Sequence, residues 1–201
     1  LGVSIGKNES TPIENALTDY LYCMDKVYDY ADYIAINISC PNTPNLTRLQ
    51  ILEPLINLLK PLKDEQANLT RKTGRTVPLV VKIAPDLSDE NLENICKVCM
   101  DLEIEGITCT NTTVSRNLVH GLKNAQEWGG LSGQPLRNRS LETLKKVKAN
   151  VKDSCAIIGV GGIGSVVDAK ERIEAGADLL QIYTGFIYKG PALIREIADN
   201  L

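Results

Sequence analysis

Short apolar runs alternate along the whole chain with segments whose apolar residues recur at helical spacing. Six of these runs are rich in Val, Ile and Leu and nearly free of internal polar residues, which is typical of parallel strands buried on both faces. Strict alternation of such strands with helices predicts an α/β fold with a parallel sheet. The predicted strands are Leu1–Ile5, Tyr33–Ser39, Pro78–Ala84, Gly106–Asn111, Ala156–Gly161 and Leu179–Thr184.

The segments between the strands carry the signals of amphipathic helices. Thr11-Pro12-Ile13-Glu14 has the sequence of a capping box with proline at the first helical position. Serine, a preferred N-cap residue, precedes three further helical patterns. The remaining predicted helices begin near Leu49 (ending near Leu62), Ser88, Ser140, Ser165 and Pro191.

Polar residues end nearly every predicted strand. Side chains of catalytic character at the carboxyl ends of many strands are the pattern of a (β/α)8 barrel rather than of an open doubly wound sheet. A closed barrel of this kind has eight strands, so we expect two more to precede Leu1. Residues 1–201 are then expected to be the C-terminal six-strand portion of a single barrel domain. Because such a portion would expose two strand edges, we expect that it does not fold alone.

Composition narrows the functional classes. The chain is 43% hydrophobic and 23% charged, which is ordinary for a globular domain. Its net charge of −3 and the lack of a basic cluster argue against nucleic-acid binding. The longest apolar runs, such as Val77–Ala84, are too short to cross a bilayer. Cys96 and Cys99 form a C-x-x-C without a second pair or a histidine cluster, so core thiols are favoured over a metal site.

Two glycine-containing turns predict a phosphate site. Ile158–Ile163 ends the penultimate strand just before a helix, and Tyr183-Thr184-Gly185 follows the last strand. Glycines let main-chain N–H groups approach a phosphate, and a helix N-terminus favours its charge. Barrels commonly bind phosphate at this position. Tight turn packing is the alternative explanation, and we favour phosphate.

Lys82 and three asparagines are candidate ligand contacts. Lys82 ends an apolar strand and is expected to face the barrel mouth, where its charge could offset negative charge on a flavin. A lysine that reaches solvent is the alternative. Asn37, Asn42 and Asn111 lie at or just after strand ends, and amides suit a ring with alternating C=O and N–H groups, such as a pyrimidine. Ordinary turn chemistry is the competing explanation for the asparagines.

The candidates for a catalytic base are few. The single histidine, His120, lies in the long connection Thr113–Arg139 and is expected at the surface. No pair of acidic residues flanks a strand end, so glycosidase chemistry has no support. Cys40 follows a strand in a polar loop, and a thiol can accept a proton when it is activated. A loop cysteine without a role is the alternative.

These motifs, in this order, resemble those of dihydroorotate dehydrogenases, and the resemblance covers essentially the whole chain. Gly2–Asn8, the long glycine-rich connection and Phe186–Pro191 resemble the quinone-linked class of that family in particular. The segments that carry the resemblance are Asn37–Pro44, Val81–Leu87, Thr110–Thr113, Gly129–Gly133, Ile158–Gly162 and Tyr183–Gly185.

The resemblance implies oxidation of (S)-dihydroorotate to orotate in de novo pyrimidine biosynthesis, with FMN as cofactor and no metal site. Cys40 would remove the proton from C5 of dihydroorotate, while the hydride on C6 would pass to N5 of FMN. The electrons would then pass to a quinone, with fumarate or NAD as alternative acceptors. The implied flavin contacts are Ser4, Asn37, Lys82, Thr110, Gly133, Gly162, Tyr183 and Thr184. The implied substrate contacts are Asn37, Asn42, Asn111 and Thr112.

The resemblance also implies a place in the cell. The family carries an upstream segment that supplies two barrel strands and a helical hairpin in contact with the membrane. We therefore expect a peripheral membrane protein on the cytoplasmic face of a bacterial inner membrane, with the mitochondrial inner membrane as the alternative.

Four positions depart from the family's pattern. Cys40 stands where the quinone-linked class normally has serine, and cysteine there is typical of the soluble class that uses fumarate or NAD. A thiol should serve as base at least as readily as a hydroxyl, because it ionises more easily. Ser4 replaces an asparagine and Thr47 an arginine, and Asn45 replaces a glycine whose left-handed backbone asparagine also tolerates.

Two other functions remain as alternatives. The changes at Ser4 and Thr47 motivate a non-catalytic barrel that binds a phosphate-bearing ligand without turnover. A phosphate-sugar isomerase on the same barrel ranks last, because the chain lacks a glutamate and histidine pair at the strand ends.

Overall fold

A computed structural model describes all 201 residues, and its six strands form one sheet in chain order. Every neighbouring pair of strands is parallel. All six predicted strands are confirmed, and five of them end one to three residues earlier than predicted. In three of these five, the predicted last residue is polar (Ser39, Asn111 and Thr184) and lies outside the ladder. The strands are β1 (Gly2–Ile5), β2 (Tyr33–Asn37), β3 (Leu79–Ile83), β4 (Gly106–Cys109), β5 (Ala156–Val160) and β6 (Leu179–Gln181).

A helix follows each strand, so six consecutive β/α units are present. Such a run of parallel strands in sequential order, each followed by a helix, is the construction of a (β/α) barrel. Short 3-10 turns precede some of the helices, and a second helix follows α6. The helices are α1 (Ala16–Val27), α2 (Leu52–Thr73), α3 (Asp89–Asp101), α4 (Arg137–Val151), α5 (Val166–Glu174), α6 (Thr184–Lys189) and α7 (Pro191–Ala198).

Two of the predicted helix starts are confirmed in atomic detail. The hydroxyl of Ser88 accepts a hydrogen bond of 3.2 Å from the main-chain N–H of Asn91, at the start of α3. The hydroxyl of Ser165 accepts one of 3.2 Å from Asp168 N–H, at the start of α5. Both serines therefore cap an otherwise unpaired N–H group of the first helical turn.

Two other predicted starts are wrong. The segment after Thr11 forms a 3-10 turn over Ile13–Asn15 with no side-chain cap, and α1 begins only at Ala16. Helix α4 begins at Arg137, three residues before Ser140. Ser140 is fully buried, and its hydroxyl donates to main-chain carbonyl groups instead of capping the helix.

Helix α2 is longer than its predicted end at Leu62. It continues to Thr73 and ends at Gly74, whose φ of 70° is readily adopted by glycine. The apolar face continues past the charged segment that follows Leu62, with Leu69 buried against the core. Because that face is still packed, Pro61 does not end the helix.

The core lies between the helices and the outer face of the sheet. Ile36, Val81 and Ile107 pair with one another in the ladder and are fully buried in it. Cys96 and Cys99 of α3 are buried in the same core, as predicted. Burial raises the pKa of Cys96 to about 12.

No helix of the chain combines the length and the apolar character needed to span a lipid bilayer.

Candidate active site

The register of the sheet places Asn37 beside Lys82 on its inner face. Their Cα atoms are ladder partners, as are those of the preceding Ile36 and Val81. Because successive residues of a strand face opposite sides, Ile36 and Val81 pack against the helices while Asn37 and Lys82 face the inside. The ends of β2 and β3 therefore bring an amide and an ammonium group together.

Lys82 is a half-buried cation without a counterion. Its ammonium group forms no hydrogen bond or ion pair within the chain. Burial lowers the pKa of Lys82, and the neighbouring Cys40 sulfur opposes this to a smaller extent. The expectation that Lys82 faces the barrel mouth is met, and the alternative of a lysine that reaches freely into solvent does not fit its burial.

The amides of Asn37 and Asn111 belong to one hydrogen-bonded cluster with Ser39. Asn37 Oδ1 accepts from Asn111 Nδ2 at 3.2 Å and from the Ser39 hydroxyl at 3.2 Å. Asn111 Nδ2 also donates to Ser39 Oγ at 3.2 Å. The opposite end of Asn111, its Oδ1, accepts from Thr112 N–H at 2.8 Å. Asn37 Oδ1 and both ends of the Asn111 amide thus have partners, and the orientation of the two amides follows from these bonds.

The residues after β4 are held by the two neighbouring strands. Thr110 N–H donates to the carbonyl of Val160 at 3.0 Å, and Asn111 N–H donates to that of Ile83 at 2.8 Å. Thr110 is buried, and its hydroxyl donates to the carbonyl of Asn111. These bonds fix the backbone from which Asn111 and Thr112 reach the mouth of the sheet.

Cys40 lies in the loop after β2, which is anchored at its far end. The residue is half-buried and packs against the core. Asn45 adopts the left-handed conformation, with φ 60°, as expected for an asparagine that replaces glycine. The loop then forms a 3-10 turn, from which Gln50 Oε1 accepts a hydrogen bond of 2.8 Å from Ala84 N–H at the end of β3. The loop that contains Cys40 is therefore anchored to β2 at one end and to the end of β3 at the other.

The long connection after β4 returns to the same mouth. Thr113 and Leu131 form an antiparallel bridge that closes its base. Gly130 N–H donates to Asn42 Oδ1 at 3.1 Å. A Cβ at Gly130 would lie 1.8 Å from Thr112 Oγ1, so only glycine fits there. The connection thereby contacts Asn42 and Thr112, and His120 within it is exposed, as predicted.

A cavity of about 470 Å³ opens at the ends of β3 to β6. Its volume is in the range typical of small-molecule and cofactor sites. Its lining includes eight of the residues singled out in the sequence, together with Ser132 and Gln181, which were not. Those eight are Lys82, Thr110, Asn111, Thr112, Gly133, Gly162, Tyr183 and Thr184.

The glycine turns at the rim of this cavity are closely packed. Gly162 has φ 72°, and a Cβ there would lie 2.4 Å from Arg137 Cα. A Cβ at Gly185 would lie 2.4 Å from the carbonyl oxygen of Ile163. Beside them, the hydroxyl groups of Thr184 and Ser132 are 2.9 Å apart. Tight packing therefore accounts for part of the glycine pattern, and the same packing brings main-chain N–H groups to the cavity.

Three predicted contact residues, Ser4, Asn37 and Asn42, are not part of the cavity lining, and neither is Cys40. Asn37 reaches the lining residue Asn111 through its hydrogen bond. Ser4 lies in the edge strand β1, where it is exposed and pairs with Ala35. Asn42 is exposed and is joined to the cavity region only through Gly130. Tyr183 lines the cavity but is 76% exposed.

Tyr20 is a supporting residue that the sequence did not reveal. Its hydroxyl donates a hydrogen bond of 2.8 Å to the main-chain carbonyl of Asn37. The side chain is fully buried, and burial raises the pKa of Tyr20 above its usual value. An aromatic residue at helical spacing normally indicates only a core position, so the sequence carried no signal for this contact.

Comparison with known proteins places this arrangement in a family. The family model for dihydroorotate dehydrogenase matches residues 1–201. The chain is 54% identical over 201 residues to the dihydroorotate dehydrogenase (quinone) of Aliivibrio salmonicida and 55% identical to that of Vibrio parahaemolyticus. In both cases all of this chain is covered, and it spans 60% of the length of the curated relative.

Solved structures agree with the sequence relatives. The crystal structure of DHODH from Eimeria tenella in complex with ferulenol superposes with a TM-score of 0.92 at 36% identity, and the ligand-free form with 0.93 at 37%. All of this chain is covered, against 57% and 58% of those chains. The six β/α units are thus part of a (β/α)8 barrel, and the chain belongs to the dihydroorotate dehydrogenase family.

Proposed function

We propose that the full-length protein oxidises (S)-dihydroorotate to orotate in de novo pyrimidine biosynthesis, with FMN as cofactor and a quinone as electron acceptor. The observation that carries this proposal is the neighbourhood of Lys82. This half-buried cation without a counterion lies beside Cys40 and is the ladder partner of Asn37, at the edge of the cavity. A thiol, a positive charge and oriented amides therefore share one mouth of the sheet.

The residues present fit FMN. Lys82 is a half-buried charge that lacks a carboxylate partner, which suits an anionic or electron-accepting ligand. The close approach of Gly162 to Arg137 leaves main-chain N–H groups rather than side chains at the cavity rim. Gly133, Gly162, Tyr183 and Thr184 would hold the phosphate and ribityl chain, and Ser4, Asn37, Lys82 and Thr110 the ring. FMN, when bound, supplies the hydride acceptor for the reaction.

The chain's own residues would handle the proton and the substrate. Cys40 would take the proton from C5 of dihydroorotate onto its sulfur and release it to solvent. Asn37, Asn42, Asn111 and Thr112 would bind the C=O and N–H groups of the pyrimidine ring. Loss of the C5 proton and the C6 hydride leaves the C5=C6 double bond of orotate. Lys82 would keep a positive charge where negative charge develops.

The choice of acceptor can be tested separately from the oxidation of dihydroorotate. The names of the bacterial relatives support a quinone, whereas Cys40 in place of serine motivates fumarate or NAD as alternatives. We expect the full-length protein with dihydroorotate to reduce a soluble quinone analogue and to leave fumarate and NAD unchanged. Reduction of fumarate but not of quinone would contradict the quinone assignment and leave the oxidation step intact.

A quinone acceptor also supports a peripheral place at the membrane. We propose that residues 1–201 form the C-terminal six-strand portion of one FMN-binding barrel domain, whose upstream part contacts the cytoplasmic face of a bacterial inner membrane. The mitochondrial inner membrane is the alternative. Flotation of the full-length protein with liposomes would test membrane contact, and recovery of all of it away from the lipid would count against the proposal.

A further inference from the structure

Arg172 of α5 is a fully buried arginine whose charge has no carboxylate partner. Its exposed fraction is 0%. Only Nη2 is hydrogen bonded, while Nε and Nη1 have no partner. Burial lowers the pKa of Arg172. Because a buried guanidinium with unpaired donors is costly, its three remaining contacts indicate a specific structural task.

All three contacts of Arg172 fix the turn after β5 against the start of α4. Nη2 donates to the carbonyl oxygens of Arg137 at 2.7 Å and Gly161 at 2.8 Å, and to Ser140 Oγ at 2.8 Å. The Ser140 hydroxyl lies close to the same two carbonyl oxygens, at 3.0 and 2.9 Å. Arg172 and Ser140 thus join Gly161 to the first residue of α4.

This contact determines the direction of the next peptide N–H group. The carbonyl of Gly161 and the N–H of Gly162 belong to one planar trans peptide and point in opposite directions. With the carbonyl held by Arg172 on the buried side, the N–H of Gly162 is turned away from it. That N–H forms no hydrogen bond within the chain, and Gly162 lines the cavity. Arg172 therefore fixes the orientation of a peptide whose free donor belongs to a cavity-lining residue, without lining the cavity itself.

A second set of contacts fixes the whole turn between β5 and α5 relative to α4 and α5. The Arg137 side chain donates to Asp168 and Glu171 of α5. Asp168 in turn accepts from Gly164 N–H at 3.0 Å and from the Ser165 hydroxyl at 2.8 Å. The turn between Gly161 and Ser165 is thereby held from α4 and α5 at once.

We propose that Arg172 is a positioning residue for the flavin phosphate. It orients the Gly161–Gly162 peptide so that a main-chain donor faces the phosphate, and its buried positive charge adds to the local potential there. Arg172 itself does not touch the ligand, because its side chain is enclosed and is not part of the cavity lining. The inference rests on the proposed function, since FMN is the ligand that brings a phosphate to this turn.

The test compares two flavins that differ only in the phosphate. Flavin-free full-length protein is titrated with FMN and with riboflavin, and the two Kd values are measured by the quenching of flavin fluorescence. For Arg172→Met we expect the Kd of FMN to rise about tenfold or more, as for the loss of one charge-assisted hydrogen bond. The Kd of riboflavin should stay within about twofold, because riboflavin has no phosphate to lose contact with.

Lys170→Met is the matched control. Lys170 lies on the same helix and is exposed, so its loss removes the same charge without the buried contacts. Neither Kd should change in this variant. If Arg172→Met fails to fold, Arg172→Lys and Ser140→Ala provide the same comparison, each with a smaller selective loss of FMN binding.

The outcomes separate this inference from the proposed function. An equal rise of both Kd values in the Arg172 variants would show general support of the fold and overturn the positioning role. If the wild-type protein binds FMN more tightly than riboflavin and the Arg172 variants keep the same ratio of Kd values, the inference alone is overturned. A wild-type protein that binds neither flavin would overturn the proposed function, and the inference with it.

Discussion

The amides of Asn37 and Asn111 meet across the end of β3, with Asn111 Nδ2 3.2 Å from Asn37 Oδ1. One residue ends β2 and the other follows β4, so the intervening strand carries Lys82 directly beside them. Since Thr112 N–H occupies the far oxygen of Asn111, this amide cannot turn over without losing bonds at both ends. The polar groups of the mouth are therefore oriented before any ligand arrives.

Removal of the Asn111 amide should weaken substrate use more than folding. In Asn111→Ala, Asn37 Oδ1 and Ser39 Oγ each lose a donor. We expect kcat/KM for dihydroorotate to fall about tenfold to 100-fold, the range for one or two hydrogen bonds to a reacting ligand and its support. Asn57→Ala, an exposed position on α2, should leave kcat/KM unchanged. A loss of less than about threefold in Asn111→Ala would contradict the assigned role.

The charge of Lys82 should set an alkaline limit to the reaction. Burial lowers the pKa of Lys82, so its proton is lost at a lower pH than the value of about 10.4 for an exposed lysine. Its positive charge is present below that lowered pKa and absent above it. Stopped-flow flavin reduction by dihydroorotate should therefore slow as the pH rises through this range.

In Lys82→Met, flavin reduction by dihydroorotate should be about 100-fold slower than in the wild type at neutral pH, and its rate should lack this alkaline decline. Lys60→Met, at an exposed position of α2, should keep the wild-type profile. An alkaline decline that persists unchanged in Lys82→Met would assign it to another group.

The ion pair of Asp168 should make stability depend on acid pH. Burial would raise the pKa of Asp168, but hydrogen bonds from Arg137, Gly164 N–H and Ser165 outweigh it and lower the pKa below its usual value. The stabilisation is therefore complete above the unfolded pKa of about 3.9 and is lost as the pH falls through the lower, folded pKa.

Urea unfolding of Asp168→Asn should show a loss of about 2 kcal/mol at neutral pH, since Arg137 remains partly solvated. The difference from wild type should shrink below about pH 4. Asp153→Asn, whose partner Lys148 is also at the surface, should behave like wild type. A difference that does not change with pH would rule out the titration of Asp168 as its source.

The sequence predicted those features that depend on periodicity. Buried parallel strands are continuous apolar runs, so each of the six was located to within three residues. The predicted helix starts were less accurate, because a serine side chain that can cap a helix can also form other hydrogen bonds. Ser88 and Ser165 accept N–H bonds at helix starts, whereas Ser140, with the same hydroxyl, is buried and bonds to carbonyl groups. What distinguishes Ser140 is the turn after β5, which places the Gly161 carbonyl next to its hydroxyl in the folded protein.

The sequence predicted the residues of the candidate site that lie at strand ends. It missed the helical residues whose side chains bond to the main chain beneath the site. Lys82, Thr110 and Asn111 could be found because the carboxyl ends of parallel strands meet at one mouth. Tyr20 and Arg172 could not, because a helical tyrosine or arginine has the same pattern whether it faces core, solvent or a main-chain carbonyl. Their contacts depend on tertiary packing that a single sequence does not encode locally.

The most direct test of the account is the visible spectrum of the purified full-length protein, before and after anaerobic addition of dihydroorotate. The wild-type protein and Cys23→Ala, a half-buried thiol of α1, should show a flavin spectrum that bleaches. Cys40→Ala should keep the flavin but bleach far more slowly, because this variant lacks the proposed base. Bleaching of Cys40→Ala at the wild-type rate would contradict the role of Cys40. A wild-type flavin that stays oxidised, or a colourless protein, would contradict the enzyme and favour a non-catalytic barrel.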